Sequence, residues 1–358
     1  MLDGLGAGVS RWVALAVAAL MSGFFIRARL NFLAIPKLLA PASDDKLPDC
    51  MVVIPARNEE SAIARAVMSF PHDTVIVVDD HSEDGTAEAA RKAGAGVLPA
   101  PELARGAIGK SAACLAGARV LTSRWVLFAD ADTWYEPRFL NALISFAEAS
   151  GVDFLSLYLQ PECETWPERM LVPYAVALYF CGTGPRRNPA VLFNGQCLLV
   201  RREAYEFVGG HSPVMNNLVD DVKLAALAQR HRLKVALARA PHLGHARMQK
   251  GLRGIWRGFE RNAFRFVVVS PWIGALIIAA ALSMALWLPA LAWLVKERQY
   301  VAAAGFALLP MALLCRWYGN WARVLLAPFA IYCMLPVLWH GMTAALLGRR
   351  IEWKGRTI

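Results

Sequence analysis

The sequence is poor in charged residues and has no paired cysteines. Charged side chains make up 18% of the 358 residues and hydrophobic ones 57%, whereas an ordinary soluble domain carries about 25% charged residues. The seven cysteines are odd in number and include no CxxC pair, which argues against a disulfide framework and a structural zinc site. These features favour a membrane-associated protein that works in a reducing compartment.

Further absences exclude three classes of function. The stretch ARGAIGKS has Ala104 where a P-loop requires its first glycine, so Lys110 does not belong to a P-loop and an ATPase is excluded. No charged residue lies well inside the C-terminal apolar blocks, where a transporter would need one to mark its pathway. No RNA-binding motif with interleaved aromatic and basic residues is present, so no nucleic-acid partner is expected.

Apolar residues concentrate at the two ends of the chain, which predicts three regions. Residues 1–45 contain an apolar segment at 9–26 that has about the length of a membrane span and is followed by Arg27, Arg29 and Lys37. Residues 46–265 have the patterning of one globular domain, and residues 266–358 form a C-terminal membrane region. By the positive-inside rule, we expect a multi-pass protein of the inner cell membrane with its globular domain in the cytoplasm.

The number of C-terminal spans is open between two and three. Apolar blocks lie at about 272–295, 301–315 and 324–347, and a basic tail containing Arg349, Arg350 and Lys354 follows. Three spans would leave this tail outside, against the charge rule, whereas two spans and an interfacial or re-entrant segment would keep it inside.

The central region alternates strand and helix patterns. MVVIPA and TVIVVDD are typical of buried strands, each is followed by an amphipathic helical segment, and RWVLFAD and VDFLSLYL are further strands. This alternation predicts an α/β domain with a parallel sheet. Ligands of such sheets bind beyond the carboxyl ends of the strands.

Acidic residues stand at these strand ends. Asp79 and Asp80 follow one strand and could bind the base and ribose of a nucleotide, although Ser82 or Asp84 could equally cap the next helix. Asp130 and Asp132 follow another strand, and two carboxylates at one place favour a divalent cation such as Mg²⁺ or Mn²⁺.

A second acidic pair, Asp220 and Asp221, opens a helix. Asp221 is a candidate general base for an acceptor hydroxyl, and the alternative is stabilisation of the helix N-terminus by its charge. Arg247 precedes a segment rich in arginine and aromatic residues, and is a candidate for binding a departing diphosphate. That segment, which contains Trp256, is also typical of a helix lying at a membrane interface.

The order of these motifs resembles family 2 inverting glycosyltransferases of the GT-A fold. The motifs are DD, DxD, NGQ with GGH, a second DD, and then W-x-G-F-x-x-N, across about residues 50–265. They are most similar to the membrane-bound branch that glycosylates carotenoids and related lipids, such as hydroxychlorobactene glucosyltransferases. The Q-x-x-R-W motif of processive polysaccharide synthases is absent, which favours transfer of a single sugar.

The resemblance implies a role for each motif. The donor, expected to be a UDP-sugar, would contact residues at the strand ends and in the Gly-Lys and arginine motifs: Pro55, Asp79, Asp80, Lys110, Asp130 and Arg247. Asp132 and Asp130 would hold the metal and Asp221 would be the base. The acceptor side would include Gln196, His211, Asp220 and Trp256.

The function expected from these observations is inverting transfer of one sugar to a hydroxyl of a lipid-like acceptor. One alternative is transfer to a polyprenyl phosphate, which is already ionised and needs no base. Another is a non-catalytic, nucleotide-sugar-binding scaffold in a membrane assembly.

Overall fold

The structure is a computed structural model that describes residues 2–39, 48–103, 108–182, 184–185, 189–217, 219–347, 352–353 and 356–357. Arg349, Arg350 and Lys354 of the predicted basic tail lie outside these described residues. Short strands β9 (Glu352–Trp353) and β10 (Arg356–Thr357) pair with each other near the C-terminus.

The central domain is built on an eight-stranded sheet, which confirms the predicted α/β class. The strands are β1 (Cys50–Ala56), β2 (Val75–Asp79), β3 (Gly96–Pro99), β4 (Trp125–Ala129), β5 (Thr133–Tyr135), β6 (Phe154–Pro161), β7 (Cys197–Arg201) and β8 (Val235–Ala246). Their order in the sheet is β3-β2-β1-β4-β7-β6-β8-β5.

The prediction of a purely parallel sheet is wrong at two places. Strands β1 to β4 pair in parallel, but β7 runs antiparallel to both β4 and β6, and β5 runs antiparallel to β8. Because β7 is reversed, its N-terminal end lies at the edge where the parallel strands have their carboxyl ends. The NGQ segment before β7 is thereby brought next to Asp130.

Alternate residues of the strands fill two separate cores, as the two-residue period of a strand requires. Val52, Ile54 and Leu127 face one core, whereas Val53 and Phe128 face the other. The helices of this domain are α2 (Ile63–Met68), α3 (Thr86–Lys92), α4 (Gly109–Arg119), α5 (Phe139–Ser150), α7 (Arg202–Phe207) and α8 (Asp220–Arg230).

The remaining helices come from both ends of the chain and from the segment between β6 and β7, and they form a third apolar core. They are α1 (Leu2–Leu33), α6 (Trp166–Gly182), α9 (Gly251–Val269), α10 (Pro271–Ala285), α11 (Trp287–Lys296), α12 (Tyr300–Tyr318), α13 (Trp321–Val324) and α14 (Ala327–Leu346). Helix α6, an insertion between β6 and β7, packs into this bundle although no pattern in the sequence predicts this. Its buried Tyr174, Phe180 and Cys181 belong to the bundle core.

Within the described residues, three helical segments are long and apolar enough to cross a membrane: Gly8–Leu33, Pro271–Lys296 and Tyr300–Tyr318. The last apolar block forms α14, which is not among these three and packs along α9 and α6. The number of C-terminal spans therefore stays a prediction of two or three.

Candidate active site

The loops that follow β1 and β2 interlock at the carboxyl ends of these strands. Pro55 pairs in register with Val78 on β2. Asp80 is buried, its backbone N–H donates to the Ala56 carbonyl over 2.8 Å, and its own carbonyl accepts from Arg57 Nη1 at 3.1 Å. These backbone contacts hold Asp79 and Asp80 at the edge of the sheet where the parallel strands have their carboxyl ends, as predicted.

Asp79 carries an oxygen suited to a ligand. Its Oδ2 accepts from the Ser82 backbone N–H at 3.4 Å, while Oδ1 is buried and accepts no hydrogen bond from any described residue. The carboxylate of Asp84 bonds the backbone N–H of Thr86, the first residue of α3, at 3.1 Å. Since a buried polar atom without a partner is costly, Asp79 Oδ1 is an acceptor available to a bound polar group.

Lys110 joins the first turn of α4 to the DxD motif. Its Nζ donates to Asp130 Oδ1 and to the Gly195 carbonyl, the second over 3.0 Å. Burial by itself lowers the pKa of this ammonium, but Asp130 and Asp220 outweigh burial and raise the pKa above its ordinary value. Lys110 is therefore a fixed positive charge beside Asp130.

Asp220 and Asp221 open α8 in the same place. The Ser111 hydroxyl donates to Asp220 Oδ2 at 2.6 Å, and the Gly195 backbone N–H donates to Asp221 Oδ2 at 2.7 Å. Asp221 is 4% exposed, and its Oδ1 accepts from the Val222 backbone N–H at 2.8 Å. Gly195 thus bridges the two motifs, because its N–H contacts Asp221 and its carbonyl contacts Lys110.

This bridge predicts that Gly195→Ala lowers turnover roughly tenfold, since small displacements of reacting groups have large kinetic effects. A Cβ at this position would lie 3.2 Å from Lys110 Nζ, which would have to move by a few tenths of an ångström, and 3.4 Å from Asp221 Oδ2, at the limit of an ordinary contact. Gly96→Ala on β3 is the control, because a Cβ there meets only ordinary contacts at 3.8 Å or more. Equal turnover in the two variants, measured with donor in excess, would contradict the bridging role.

Gln196 and His211 are buried beside the carboxylates. The Gln196 carbonyl accepts from the Asp130 backbone N–H at 2.9 Å, and Gln196 is 5% exposed. His211 is buried, and its Nδ1 lies 2.7 Å from the Tyr205 hydroxyl. Burial, and then the positive charge of Lys110, lower the pKa of His211 to about 3, although Asp221 opposes them. His211 is therefore a neutral ring behind Lys110 and Asp221.

Asp132 contacts the segment before α9 through its backbone. Its carbonyl accepts from the Arg247 N–H at 3.1 Å, which brings this segment to the DxD motif. The Arg247 side chain is bound elsewhere, since Nε donates to Glu168 Oε2 at 3.3 Å and Nη1 contacts Glu164. Contact with a diphosphate would require this guanidinium to leave the two glutamates or to be shared with them.

Glu168 ties α6 to α9 and is fully buried. It accepts the backbone N–H groups of Glu164, Thr165 and Gly251 at 2.8–3.1 Å. Burial on its own raises the pKa of Glu168, but the hydrogen bonds from Gly251, Arg247 and the two other N–H groups lower it to about 2.

A folded-state pKa below the unfolded one means that the ionised Glu168 stabilises the fold at neutral pH. We expect Glu168→Gln to lower the free energy of unfolding by roughly 2 kcal/mol above about pH 5. The difference from the wild type should shrink as the pH falls from about 4.5 towards 2, because Glu168 is then protonated in both states. Glu164→Gln, at an exposed partner of Arg247, is the control and should change stability by less than about 1 kcal/mol. A pH-independent loss in Glu168→Gln would contradict the assignment.

Trp256 lies on α9, away from the strand-end carboxylates. Its side chain is exposed, and its ring centroid lies 6.5 Å from that of His340 on α14. His340 Nδ1 in turn lies 2.7 Å from Glu260 Oε1. Trp256 therefore belongs to the α9–α14 pair at the bundle.

Sequence reasoning missed several residues of this arrangement. Ser111 follows Lys110 directly and Gly195 belongs to the NGQ motif. The sequence analysis identifies both motifs but does not predict the contacts that these two residues make. Glu164 and Glu168 belong to no recognisable sequence motif. Their contact with Arg247 could not be predicted, because Arg247 is about 80 residues distant in the chain.

Comparison with known families matches residues 51–208 to the model described as Glycosyl transferase family 2. The 4,4'-diaponeurosporenoate glycosyltransferase of Staphylococcus haemolyticus is 28% identical over 231 residues, which are 61% of this chain and 60% of the relative. The protein of the same name from Staphylococcus aureus is 27% identical over 227 residues, which are 59% of this chain and 60% of the relative. The chain thus spans about 60% of the length of these relatives.

Among solved structures, a mannosyltransferase from Pyrobaculum calidifontis in complex with GDP-Man and Mn²⁺ matches with a TM-score of 0.55 and 18% sequence identity. The match covers 97% of this chain and 99% of that one. It therefore extends beyond the sheet domain to the terminal helices, and it confirms the predicted GT-A fold.

Proposed function

The chain carries a glycosyltransferase family 2 domain, and we propose that it transfers one sugar from a nucleoside-diphosphate sugar to a hydroxyl of a lipid-like acceptor. The observation that carries this proposal is Gly195, whose backbone N–H bonds Asp221 and whose carbonyl bonds Lys110. A proton acceptor and a cation beside the DxD motif are thereby held by the backbone of one residue. A transferase needs this proximity, because the acceptor oxygen attacks while the diphosphate departs.

The donor is proposed to lie along the strand ends. Asp79 Oδ1 is the acceptor available for a donor N–H or O–H of the nucleotide, and the fixed charge of Lys110 is suited to phosphate oxygens. A UDP-sugar is the expected donor, and GDP-Man is the nucleotide sugar bound by the mannosyltransferase of similar fold.

The DxD carboxylates fit a divalent cation. Asp130 already pairs with a positive group, the Lys110 ammonium, and Asp132 follows two residues later at the same strand end. Asp130 and Asp132 would supply two carboxylates, and Mg²⁺ or Mn²⁺ would complete its shell with water and substrate phosphates. When bound, such an ion neutralises the charge that develops on the leaving diphosphate.

The proposed reaction is a direct displacement with inversion. The acceptor oxygen forms its bond to the anomeric carbon, the bond from that carbon to the diphosphate oxygen breaks, and the hydroxyl proton passes to the carboxylate of Asp221. The diphosphate leaves with the bonding electron pair. Gly195 and Val222 orient the Asp221 carboxylate for this transfer through their backbone N–H groups.

The relatives favour a second acceptor class. Their name describes transfer to diaponeurosporenoate, which is a carotenoid carboxylate by its ending. A carboxylate, like a polyprenyl phosphate, is already ionised and needs no general base. A scaffold without catalysis is disfavoured, since it has no use for a buried carboxylate joined to the DxD motif.

The chain is proposed to be a multi-pass protein of the inner cell membrane with its catalytic domain in the cytoplasm. The three apolar helices support a membrane protein, and Arg27, Arg29 and Lys37 after the first of them support the orientation. An acceptor dissolved in the bilayer could then reach the domain from the α9 side, where Trp256 is exposed.

A donor screen tests the proposal. The purified full-length chain is incubated with a panel of nucleoside-diphosphate sugars and a membrane lipid extract, and the lipids are read by mass spectrometry. The proposal expects one lipid to gain the mass of one hexose with one donor. Donor hydrolysis without a glycosylated lipid across the panel would contradict it.

A further inference from the structure

Two arginines lie over the Phe32 ring, and a third, Arg316, lies close to one of them. The Phe32 ring near the end of α1 has the guanidinium carbon of Arg239 at 4.3 Å and that of Arg29 at 5.7 Å from its centroid. Arg316, near the end of α12, lies close enough to Arg29 to act on it electrostatically. α1, β8 and α12 thus each contribute one positive charge to this cluster, which we call the Phe32 cluster.

Within the part of the chain that the structure describes, no acidic side chain neutralises the Phe32 cluster. Among the described residues, no carboxylate forms an ion pair with Arg29, Arg239 or Arg316; the single side-chain hydrogen bond among them runs from Arg239 Nε to the Ile35 carbonyl at 3.0 Å. Arg239 is 7% exposed, and burial, followed by the charge of Arg29, lowers its pKa from the ordinary value. Arg29 is half-buried and Arg316 is exposed, so the cost of an uncompensated buried charge, which an anion would reduce, falls on Arg239.

Two buried polar atoms in the same place also have no partner among the described residues. The Tyr158 ring lies 5.7 Å and the Trp317 ring 5.2 Å from the Phe32 ring. Tyr158 Oη and Trp317 Nε1 are buried and form no hydrogen bond there. An indole N–H and a guanidinium only donate, and a phenol can donate, so an acceptor-rich anion would satisfy the whole set.

The cluster lies at the level where two candidate spans end. Gly8–Leu33 ends one residue after Phe32, and Tyr300–Tyr318 ends one residue after Trp317. Tyr158 and Arg239 come from paired positions of β6 and β8 in the catalytic domain. A ligand held here would therefore contact the membrane helices and the sheet together, at the depth of lipid headgroups.

We propose that the Phe32 cluster binds the phosphate headgroup of an anionic membrane lipid. The phosphate oxygens accept from the arginines and from the two buried donors, while the acyl chains follow α1 and α12 into the bilayer. Arginines that merely extend to the membrane surface would not form a specific site for one lipid headgroup. This proposal does not depend on which acceptor receives the sugar. The experiment that tests it measures lipid binding and not sugar transfer.

The test uses the full chain in phosphatidylcholine nanodiscs and spin-labelled phosphatidic acid, with the motionally restricted lipid fraction as readout. Arg29→Gln and Arg316→Gln should each weaken phosphatidic acid binding roughly tenfold, by loss of a charge-assisted contact. Arg298→Gln is the matched control, because Arg298 precedes the other end of α12. It removes the same charge outside the cluster and should leave binding unchanged. Arg239 is too deeply buried to serve as the main variant.

Three results would overturn the proposal. Equal restriction of phosphatidic acid in all variants, or the same restriction of spin-labelled phosphatidylcholine, would show that the arginines do not form a specific site. Displacement of the lipid by equimolar inorganic phosphate would assign the site to free phosphate and contradict a lipid ligand. The variants must first show wild-type unfolding temperatures, so that loss of binding is not loss of fold.

Discussion

Asp221→Asn should lower turnover by roughly 10²–10⁴-fold, or about 3–5 kcal/mol of barrier, while donor affinity stays near that of the wild type. The asparagine cannot accept the hydroxyl proton. It also retains only one oxygen for the two backbone N–H groups of Gly195 and Val222 that now donate to Asp221. One buried N–H is then left without a partner, so we expect a further loss of about 1–3 kcal/mol in stability.

Turnover and unfolding must therefore be measured together. Asp84→Asn is the control, because Asp84 caps the first turn of α3 by a similar contact and lies outside the Asp221 contacts. It should lower stability without lowering turnover. If Asp221→Asn stays within a few-fold of the wild type, the carboxylate is structural and an ionised acceptor is favoured. If donor binding collapses, Asp221 belongs to the nucleotide site.

Removal of the divalent cation should lower transfer by roughly 10³-fold, in line with the several kcal/mol that a metal contributes at a leaving phosphate. Mg²⁺ or Mn²⁺ should restore the chelated wild type, whereas Asp132→Asn should be inactive and not restored. Glu148→Gln, which breaks a surface ion pair with Arg124, is the control for loss of one carboxylate and should behave as the wild type does.

One outcome of the chelation experiment would contradict metal dependence. Full activity in excess chelator, after elemental measurement confirms that the protein is metal-free, would contradict a metal-dependent site. Lys110 would then be the sole cation beside Asp130, and Lys110→Met, not Asp132→Asn, would be the variant with the larger loss.

The sheet and the strand-end acids could be predicted because they follow from local patterns. Asp79 and Asp130 end strands that flank β1, so the two-residue period of the strands and the parallel pairing bring them to one edge. The reversal of β7 could not be predicted in this way, since CLLVR reads equally well as a strand in either direction. Its direction is set by neighbours far away in the sequence.

The contacts that link the motifs could not be predicted either, because they join residues that are far apart in the sequence. Lys110 meets Gly195, and Arg247 meets Glu168, across 85 and 79 residues. Helix α6 was also missed, because WPERMLVPYAVALYFCG is apolar but too short for a span, and its partners α1, α10, α12 and α14 lie at the two ends of the chain.

The most direct measurement of the central claim is the chemical linkage in the product lipid. The glycosylated lipid formed by the wild type is isolated, and portions are treated with mild alkali and mild acid before mass spectrometry. Transfer to a hydroxyl with Asp221 as base predicts a glycoside that survives both treatments. Release of the sugar by mild alkali would identify an ester of a carboxylate acceptor, and release by mild acid a glycosyl phosphate; either result would contradict the account.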